Sequence, residues 1–230
     1  MRTNPDAVLM FAAGFGTRMK PLTETRPKPL IEVGGRALID HAMHLVDQHG
    51  VSRVVVNLHY KPEMIRSHFQ NSKVILSEET PDILDTGGGL KAAIPLLGAG
   101  PVFTMNTDAV WSGPNPFTML KDAWQPDLMD ALLLCIPKEQ AMGHAGQGDF
   151  LIEPDGHARR GAGLIYSGVQ IIQTAVARDV EESAFSLNVI WDRLIAADRL
   201  FGLAYTGRWC DVGQPASISV AERMLAGGDV

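Results

Sequence analysis

The chain has 230 residues, 46% of them hydrophobic, which is enough to bury a substantial core, and we expect one domain over residues 1–230. Its formal net charge is −6 without any Lys/Arg-rich block, which argues against nucleic-acid binding. The longest apolar runs fall far short of the roughly 18 residues that span a bilayer, and the N-terminus lacks the apolar region of a signal peptide. We therefore expect a cytoplasmic protein with no membrane contact, whose two cysteines, Cys135 and Cys210, are free, buried thiols.

Short β-rich runs alternate with helix-period segments along the chain, a pattern typical of parallel strands joined by helices. The predicted strands cover residues 7–12, 54–58, 74–77, 102–106 and 130–136. The predicted helices cover 38–49, 61–69, 90–97, 117–124, a segment after Ser186 as N-cap, and 215–225. Residues 150–153 and 163–172 are predicted as antiparallel additions. The sequence thus predicts an α/β fold, a Rossmann-like three-layer sandwich with a mostly parallel mixed sheet.

The first predicted strand leads into a segment rich in glycine and proline, AAGFGTRMKPLTETRPKP at residues 12–29. Gly14 and Gly16 allow close approach of the backbone, so that successive N–H groups can bind one anion. Arg18 and Lys28 can add side-chain charge to the same anion. The third glycine of the dinucleotide fingerprint and the Gly-Lys-Ser/Thr triplet of the P-loop are both missing. The segment therefore predicts a different phosphate loop, suited to a nucleoside triphosphate.

This segment resembles the signature of the sugar-1-phosphate nucleotidyltransferase family, a Gly-x-Gly-Thr-Arg run followed by Pro-Lys-Pro. The resemblance implies transfer of a nucleotidyl group from a nucleoside triphosphate to a sugar 1-phosphate, with release of pyrophosphate. It implies catalytic roles for Arg18 and Lys28. It also implies nucleotide binding by the first residues of the loop, which are Ala12, Ala13, Gly14, Gly16 and Thr17.

Two aspartates are candidate metal ligands. Asp108 follows a predicted strand and Asn106, at the position where open α/β sheets bind their ligands. Asp211 lies inside an otherwise apolar strand, where an unpaired charge is costly, so it needs a partner. The resemblance implies that both carboxylates hold Mg²⁺, a cation that prefers oxygen ligands. An Asx turn at Asp108 and a salt-bridged structural role for Asp211 remain the alternatives.

The run Leu-Asp-Thr-Gly-Gly-Gly at residues 84–89 precedes a predicted helix, so its amides could meet a flat or anionic group at the helix N-terminus. The resemblance implies that this loop contacts the base and ribose. The nucleotide-binding residues predicted beyond the phosphate loop are Glu78, Thr86, Gly87, Gly88 and Asn106. A plain helix-initiating turn is the alternative.

Within the family, the chain most resembles short bacterial uridylyltransferases that use N-acetylmuramate 1-phosphate in cell-wall recycling, which favours UTP. The segments that carry this resemblance contain the predicted substrate-binding residues Asp149, Ser167 and Gly168. Residues 137–149 are predicted as either a mobile lid or a hairpin loop. Mannose-1-phosphate guanylyltransferase, phosphocholine cytidylyltransferase and a non-catalytic nucleotide-sugar sensor stay open as alternatives. We expect a monomer or homodimer and no C-terminal hexapeptide-repeat domain.

Overall fold

Fourteen strands and seven α-helices alternate along residues 2–227, the part of the chain that the computed structural model describes. The strands are β1 (Ala7–Phe11), β2 (Glu32–Val33), β3 (Arg36–Ala37), β4 (Arg53–Leu58), β5 (Ile75–Glu78), β6 (Pro101–Asn106), β7 (Ala109–Ser112), β8 (Ala131–Ile136), β9 (Ala141–Met142), β10 (Phe150–Ile152), β11 (Ala158–Arg160), β12 (Ile165–Gln173), β13 (Leu200–Ala204) and β14 (Arg208–Asp211). The helices are α1 (Leu38–His49), α2 (Pro62–Phe69), α3 (Asp85–Leu97), α4 (Pro116–Ala123), α5 (Ala175–Arg178), α6 (Leu187–Ala196) and α7 (Ala216–Leu225). Within residues 2–227, none of the helices combines the length and apolarity that crossing a membrane requires.

Seven strands form the central sheet in the order β13-β8-β12-β6-β1-β4-β5. The neighbours from β6 through β1 and β4 to β5 are parallel, and so are β13 and β8. Only β12 runs antiparallel to its two neighbours in this sheet, β6 and β8. This topology confirms the predicted mostly parallel mixed sheet and the antiparallel addition after residue 163.

Helices cover both faces of the sheet because successive strand residues point to opposite sides. On β1, Val8 and Met10 pack against the core formed with α1, α2 and α4, whereas Ala7 and Leu9 pack against the core formed with α3, α5 and α6. All four side chains are completely buried. Near-continuous apolar runs in the central strands, which the sequence shows, follow from this two-sided burial.

A smaller sheet, β7-β14-β9, extends the fold beyond the end of β6. Its strand β7, like β13 of the main sheet, has no counterpart among the predicted strands. The pairing of β7 with β14 is antiparallel and sets Ala109 opposite Asp211. A third apolar cluster, which includes Val110, Cys210 and α7, holds this sheet against the segment that follows the phosphate loop. The two strand-terminal aspartates are thereby brought to one place.

The prediction that the third helix starts at residue 90, after the triple glycine, is wrong. α3 begins at Asp85, so Gly87 and Gly88 lie within its first turns. A Cβ atom on Gly88 would lie 2.2 Å from the Ser183 carbonyl oxygen, and one on Gly87 would lie 2.3 Å from Cε2 of Phe185. Because glycine has low helix propensity, the sequence interpretation placed the start of the helix after the triple glycine. Glycine is required at these positions because residues 183–185 approach the helix closely.

We expect Gly88→Ala to lower the free energy of unfolding by about 1–3 kcal/mol, because the added methyl group overpacks the contact with Ser183 by more than the gain in helix propensity offsets. Urea unfolding of purified protein measures this change. Gly14→Ala is the matched control, since a Cβ there would meet no atom within 4 Å. Equal stability of the Gly88 variant and the wild type would contradict the packing explanation.

Candidate active site

A cavity of about 320 Å³ opens where the parallel strands β6, β1, β4 and β5 end. The carboxyl ends of parallel strands are the usual ligand-binding edge of an open α/β sheet. The structure brings many of the predicted site residues together in the lining of this cavity: Ala12, Ala13, Gly14, Gly16, Thr17, Arg18, Lys28, Thr86, Asn106 and Asp108. Phosphate loop, strand-terminal aspartate and predicted base-binding segment thus share one cavity.

The phosphate loop is closely packed against the segment that carries Lys28. Gly16 has φ = +62°, and a Cβ at this position would lie 2.9 Å from Cβ of Lys28. The Thr23 hydroxyl donates a hydrogen bond of 3.0 Å to the Gly16 carbonyl oxygen, which closes the turn. Glycine is required here for both conformation and close approach. Its presence therefore allows the loop and Lys28 to face the same ligand.

Lys28, Asp108 and Asp211 form the charged centre of the site. Nζ of Lys28 lies 2.8 Å from Oδ2 of Asp108. The backbone N–H of Val212 donates a hydrogen bond of 2.9 Å to the Asp108 carbonyl oxygen, and Asp211 pairs with Ala109 across the strands. The two carboxylates, distant in sequence, are consequently neighbours in the fold.

The environment of Asp211 disfavours its negative charge. Burial, followed by the charge of Asp108, raises the pKa of the Asp211 carboxyl, while Lys28, Arg18 and His144 act in the opposite direction. Nδ1 of His144 lies 3.8 Å from Oδ2 of Asp211. Two oxygen-donor groups that repel each other are a suitable donor set for a hard divalent cation.

A cation held here would take only part of its coordination shell from the protein. Among residues 2–227 no three His, Cys, Asp or Glu side chains converge into a group that could hold a metal ion. The remaining ligands of a cation between Asp108 and Asp211 would therefore be oxygen atoms of substrate phosphates or water. Mg²⁺ is commonly bound in this manner, by one or two carboxylates together with phosphates.

Glu78, which is predicted to bind the nucleotide, lies outside the cavity lining, whereas its neighbour Glu79 lines the cavity. The Glu78 side chain is exposed and paired with Arg66. Adjacent residues of an extended segment point to opposite faces, so a shift of one position exchanges a surface residue for a cavity residue. The sequence alone offered two neighbouring glutamates without deciding between them.

Glu79 belongs to a buried hydrogen-bond network that the sequence analysis missed. Both Glu79 and Asn57 are 2% exposed. Oε1 of Glu79 accepts from Nδ2 of Asn57 at 2.7 Å, and Oε2 accepts from the Leu84 N–H at 2.8 Å. Oδ1 of Asn57 in turn accepts from the Ala12 N–H at 2.7 Å. A polar residue near the end of the predicted strand 54–58 was the signal that could have identified Asn57.

The amides of Gly87 and Gly88, which are predicted to bind the nucleotide, are used within the protein. Both donate hydrogen bonds to the Phe185 carbonyl oxygen, at 2.9 and 3.0 Å. Neither glycine lines the cavity, whereas Asp85 and Thr86 do. The first turn of α3 is therefore satisfied by the protein itself, and its cavity face consists of side chains.

The predicted substrate residues Asp149, Ser167 and Gly168 lie outside the cavity lining. Oδ2 of Asp149 accepts a hydrogen bond of 2.8 Å from the Tyr166 N–H, and Oγ of Ser167 accepts one of 3.1 Å from the Val169 N–H. Gly168, at φ = +87°, packs closely against the Asn106 side chain. Of the three, Gly168 packs against a residue of the cavity lining, Asn106. Substrate contact by these residues stays a prediction.

Comparison with known proteins identifies the family of the chain. Residues 8–199 match the MobA-like NTP transferase domain. N-acetylmuramate alpha-1-phosphate uridylyltransferase of Caulobacter vibrioides is 37% identical over 240 residues, covering 98% of this chain and 99% of the relative. The enzyme of the same description from Neisseria meningitidis serogroup B is 29% identical over 226 residues, covering 94% and 96%. The crystal structure of HddC from Yersinia pseudotuberculosis complexed with GMP-PN has the same fold, with a TM-score of 0.77, 23% identity and coverage of 95% and 99%.

The chain therefore belongs to the family of MobA-like NTP transferase domains. Its relatives are sugar-1-phosphate nucleotidyltransferases, which confirms the family predicted from the phosphate loop.

We expect Asp211→Asn to raise the stability of the metal-free protein at neutral pH, since it removes a charge that burial and Asp108 disfavour. The pKa of Asp211 is raised on folding, so the folded state binds this proton more tightly than the unfolded chain. Stability from this group accordingly falls as pH rises through the interval between the two pKa values.

The stability gain of Asp211→Asn should be largest near neutral pH and disappear below about pH 3.9, the pKa of an unfolded aspartate. Thermal melts across this range in chelating buffer measure it. Asp82→Asn, at an exposed position outside the cavity, is the control and should match the wild type. A less stable Asp211 variant at pH 7 would rule out the proposed electrostatic conflict.

Proposed function

We propose that this protein transfers the uridylyl group of UTP to N-acetylmuramate 1-phosphate, producing the UDP-sugar and pyrophosphate. The observation that carries the proposal is the pairing of Lys28 with Asp108 in the cavity that the phosphate loop lines, with Asp211, which lies outside the cavity lining, as the neighbouring carboxylate. The choice of substrates is supported by the Caulobacter relative, which is 37% identical over nearly the whole of both chains.

The chemistry needs alignment and charge neutralisation more than proton transfer. The second pKa of a phosphomonoester is about 6, so the acceptor phosphate is largely dianionic at neutral pH and needs no general base. One of its oxygens forms a bond to the α-phosphorus while the bond to the bridging oxygen of pyrophosphate breaks. Arg18 and the loop amides would hold the β- and γ-phosphates, and Lys28 would lie at the transfer point.

Asp108 and Asp211 would hold Mg²⁺ in this reaction. The fit rests on two neighbouring carboxylates: burial, followed by the charge of Asp108, raises the pKa of the Asp211 carboxyl, and a cation would offset both effects. When bound, the metal supplies positive charge to the phosphate oxygens and the leaving group. Asp108 and Asp211 would position the positive charge of the metal next to Lys28.

The base preference for UTP rests on the relatives and not on the glycine amides. The Gly87 and Gly88 amides, which could have served the uracil carbonyl groups, are used by Phe185. Both oxygens of Glu79, which could have served a guanine, accept hydrogen bonds from Asn57 and Leu84. The geometry therefore removes the argument from the glycine amides for uracil, whereas each Glu79 oxygen keeps acceptor capacity and does not decide between the bases.

We expect pyrophosphate release to be fastest with UTP and N-acetylmuramate 1-phosphate in a screen of four nucleoside triphosphates. The acceptor panel includes mannose 1-phosphate and phosphocholine, which represent the alternative guanylyl and cytidylyl transfers. A preference for GTP with mannose 1-phosphate, or for CTP with phosphocholine, would contradict the proposed substrates. The reaction would still be nucleotidyl transfer. No turnover with any pair, despite nucleotide binding, would identify a sensor.

Turnover should require Mg²⁺ or Mn²⁺, and Asp108→Asn should lower kcat by at least roughly 10²-fold, on the scale of losing a principal electrostatic stabiliser. Steady-state pyrophosphate assays over a metal titration measure both effects, and circular dichroism verifies the fold. Near-native turnover with unchanged metal dependence would exclude Asp108 as a ligand.

Lys28→Ala should reduce kcat more than it reduces UTP affinity, because the charge of Lys28 matters most when negative charge moves toward pyrophosphate. Arg18→Ala should weaken both quantities. Single-turnover rates and calorimetric UTP titrations separate the two effects, with Lys20→Ala as a control outside the cavity lining. Equal losses of rate and affinity in the Lys28 variant would indicate that Lys28 stabilises the bound substrate and the transition state equally.

A further inference from the structure

Asp108 lies just beyond the end of the central sheet, close to the start of the phosphate loop. The parallel strands β1 and β6 pair as far as Phe11 and Asn106, which are the last residues of the two strands. After Phe11 the chain enters the phosphate loop, whereas after Asn106 it leaves the central sheet and enters β7 of the small sheet at Ala109. The backbone pairing therefore ends where the segments that carry the proposed phosphate and cation sites begin.

The side chain of Thr107 joins the two segments at this point. Its Oγ1 donates a hydrogen bond of 2.7 Å to the Phe11 carbonyl oxygen. Thr107 is 3% exposed and belongs to the lining of the cavity. A threonine hydroxyl has a single proton, so this donor is fully used by Phe11. Among residues 2–227, this is the one side-chain hydrogen bond that connects residues 11–18 with residues 106–108.

The other contacts of Asp108 lead away from β1. Its carbonyl oxygen accepts a hydrogen bond of 2.9 Å from the Val212 N–H, which ties it to the segment after β14. Its carboxylate pairs with Lys28, whose flexible four-carbon side chain can follow small movements of its partner. The side chain of Thr107 is short and branched at Cβ, so it has little rotational freedom. The bond from Thr107 to Phe11 is therefore the contact that opposes a shift of Asp108 relative to β1.

We propose that Thr107 is a positioning residue, which fixes Asp108 relative to the phosphate loop through its hydrogen bond to the Phe11 carbonyl group. This inference rests on the proposed binding of a nucleoside triphosphate together with a divalent cation. Such a ligand contacts both segments at once, with its phosphates at the loop amides and its cation at Asp108. Groups that folding already holds at the right separation bind it more tightly, because less ordering is required on binding.

A purely structural role of Thr107 would have a different signature. The hydroxyl satisfies a carbonyl oxygen, so its removal lowers the free energy of unfolding whether or not the bond positions Asp108. The quantity that separates the two roles is the metal-dependent gain, which we define as the UTP affinity with Mg²⁺ divided by the UTP affinity in EDTA. The position of Asp108 contributes to this gain, whereas the stability of the fold does not.

Calorimetric titrations of the full chain with UTP, in Mg²⁺ and in EDTA, measure the metal-dependent gain. Thr107→Val keeps the shape of the side chain and removes the hydroxyl. We expect it to lower the gain roughly threefold or more, on the scale of losing one neutral hydrogen bond. Its UTP affinity in EDTA should stay close to the wild-type value. Thr107→Ser retains a hydroxyl and should keep the wild-type gain.

Thr104→Val is the matched control. Thr104 lies on β6, is completely buried and accepts a hydrogen bond of 3.1 Å from Nε2 of Gln170. Neither of these two residues lines the cavity. This variant should lose stability in urea unfolding and keep the wild-type gain. Circular dichroism verifies the fold of each variant, and Thr107→Ala takes the place of Thr107→Val if the valine side chain prevents folding.

An unchanged gain in Thr107→Val would overturn the inference. An equal loss of affinity with and without Mg²⁺, or a loss of gain in Thr107→Ser as large as in Thr107→Val, would also overturn it. The same titrations with GTP separate this inference from the proposed function, because both nucleotides carry the same triphosphate. A Thr107-dependent gain that appears with GTP and not with UTP would contradict the choice of UTP and support the role of Thr107. A wild type that shows no gain with either nucleotide would contradict both proposals.

Discussion

Two like charges, Asp108 and Asp211, are held beside each other by the pairing of β7 with β14, and the charged centre of the site depends on this pairing. Among residues 2–227, Lys28 is the one lysine within ion-pair distance of Asp108, and burial, followed by the charge of Asp108, raises the pKa of the Asp211 carboxyl. Folding energy elsewhere must maintain the arrangement. The apolar cluster around Val110 and Cys210 provides it by fixing the small sheet against the rest of the molecule.

The glycines near the cavity serve two different physical purposes. Gly16 has a positive φ and lies against Lys28, so it shapes a loop whose backbone can face an anion. Gly87 and Gly88 lie in the helix α3 and leave the space that residues 183–185 occupy, so their role is in packing. Runs of glycine that look equivalent in a sequence therefore contribute to the site in different ways. Gly16 allows a backbone conformation, whereas Gly87 and Gly88 leave space for a neighbouring segment.

The Asn57–Glu79 network connects three elements that meet at the cavity. It joins the start of the phosphate loop at Ala12, the end of β4 and the residue before α3 by hydrogen bonds between 2.7 and 2.8 Å. Buried polar groups are costly unless satisfied, so a complete network of this kind favours a single arrangement of the three elements.

The sequence by itself determined the class of fold, the phosphate loop and the pair of aspartates. Periodicity is a local property, and the loop motif lies within one contiguous segment. Both could therefore be identified from the sequence without knowledge of tertiary contacts. Tertiary structure decided which of Glu78 and Glu79 faces the cavity, where α3 begins and which amides are free. Each of these depends on a partner distant in the chain, namely Asn57 for Glu79 and residues 183–185 for the glycines of α3. The burial and hydrogen bonding that such partners impose outweigh the local preferences on which a sequence-based prediction rests.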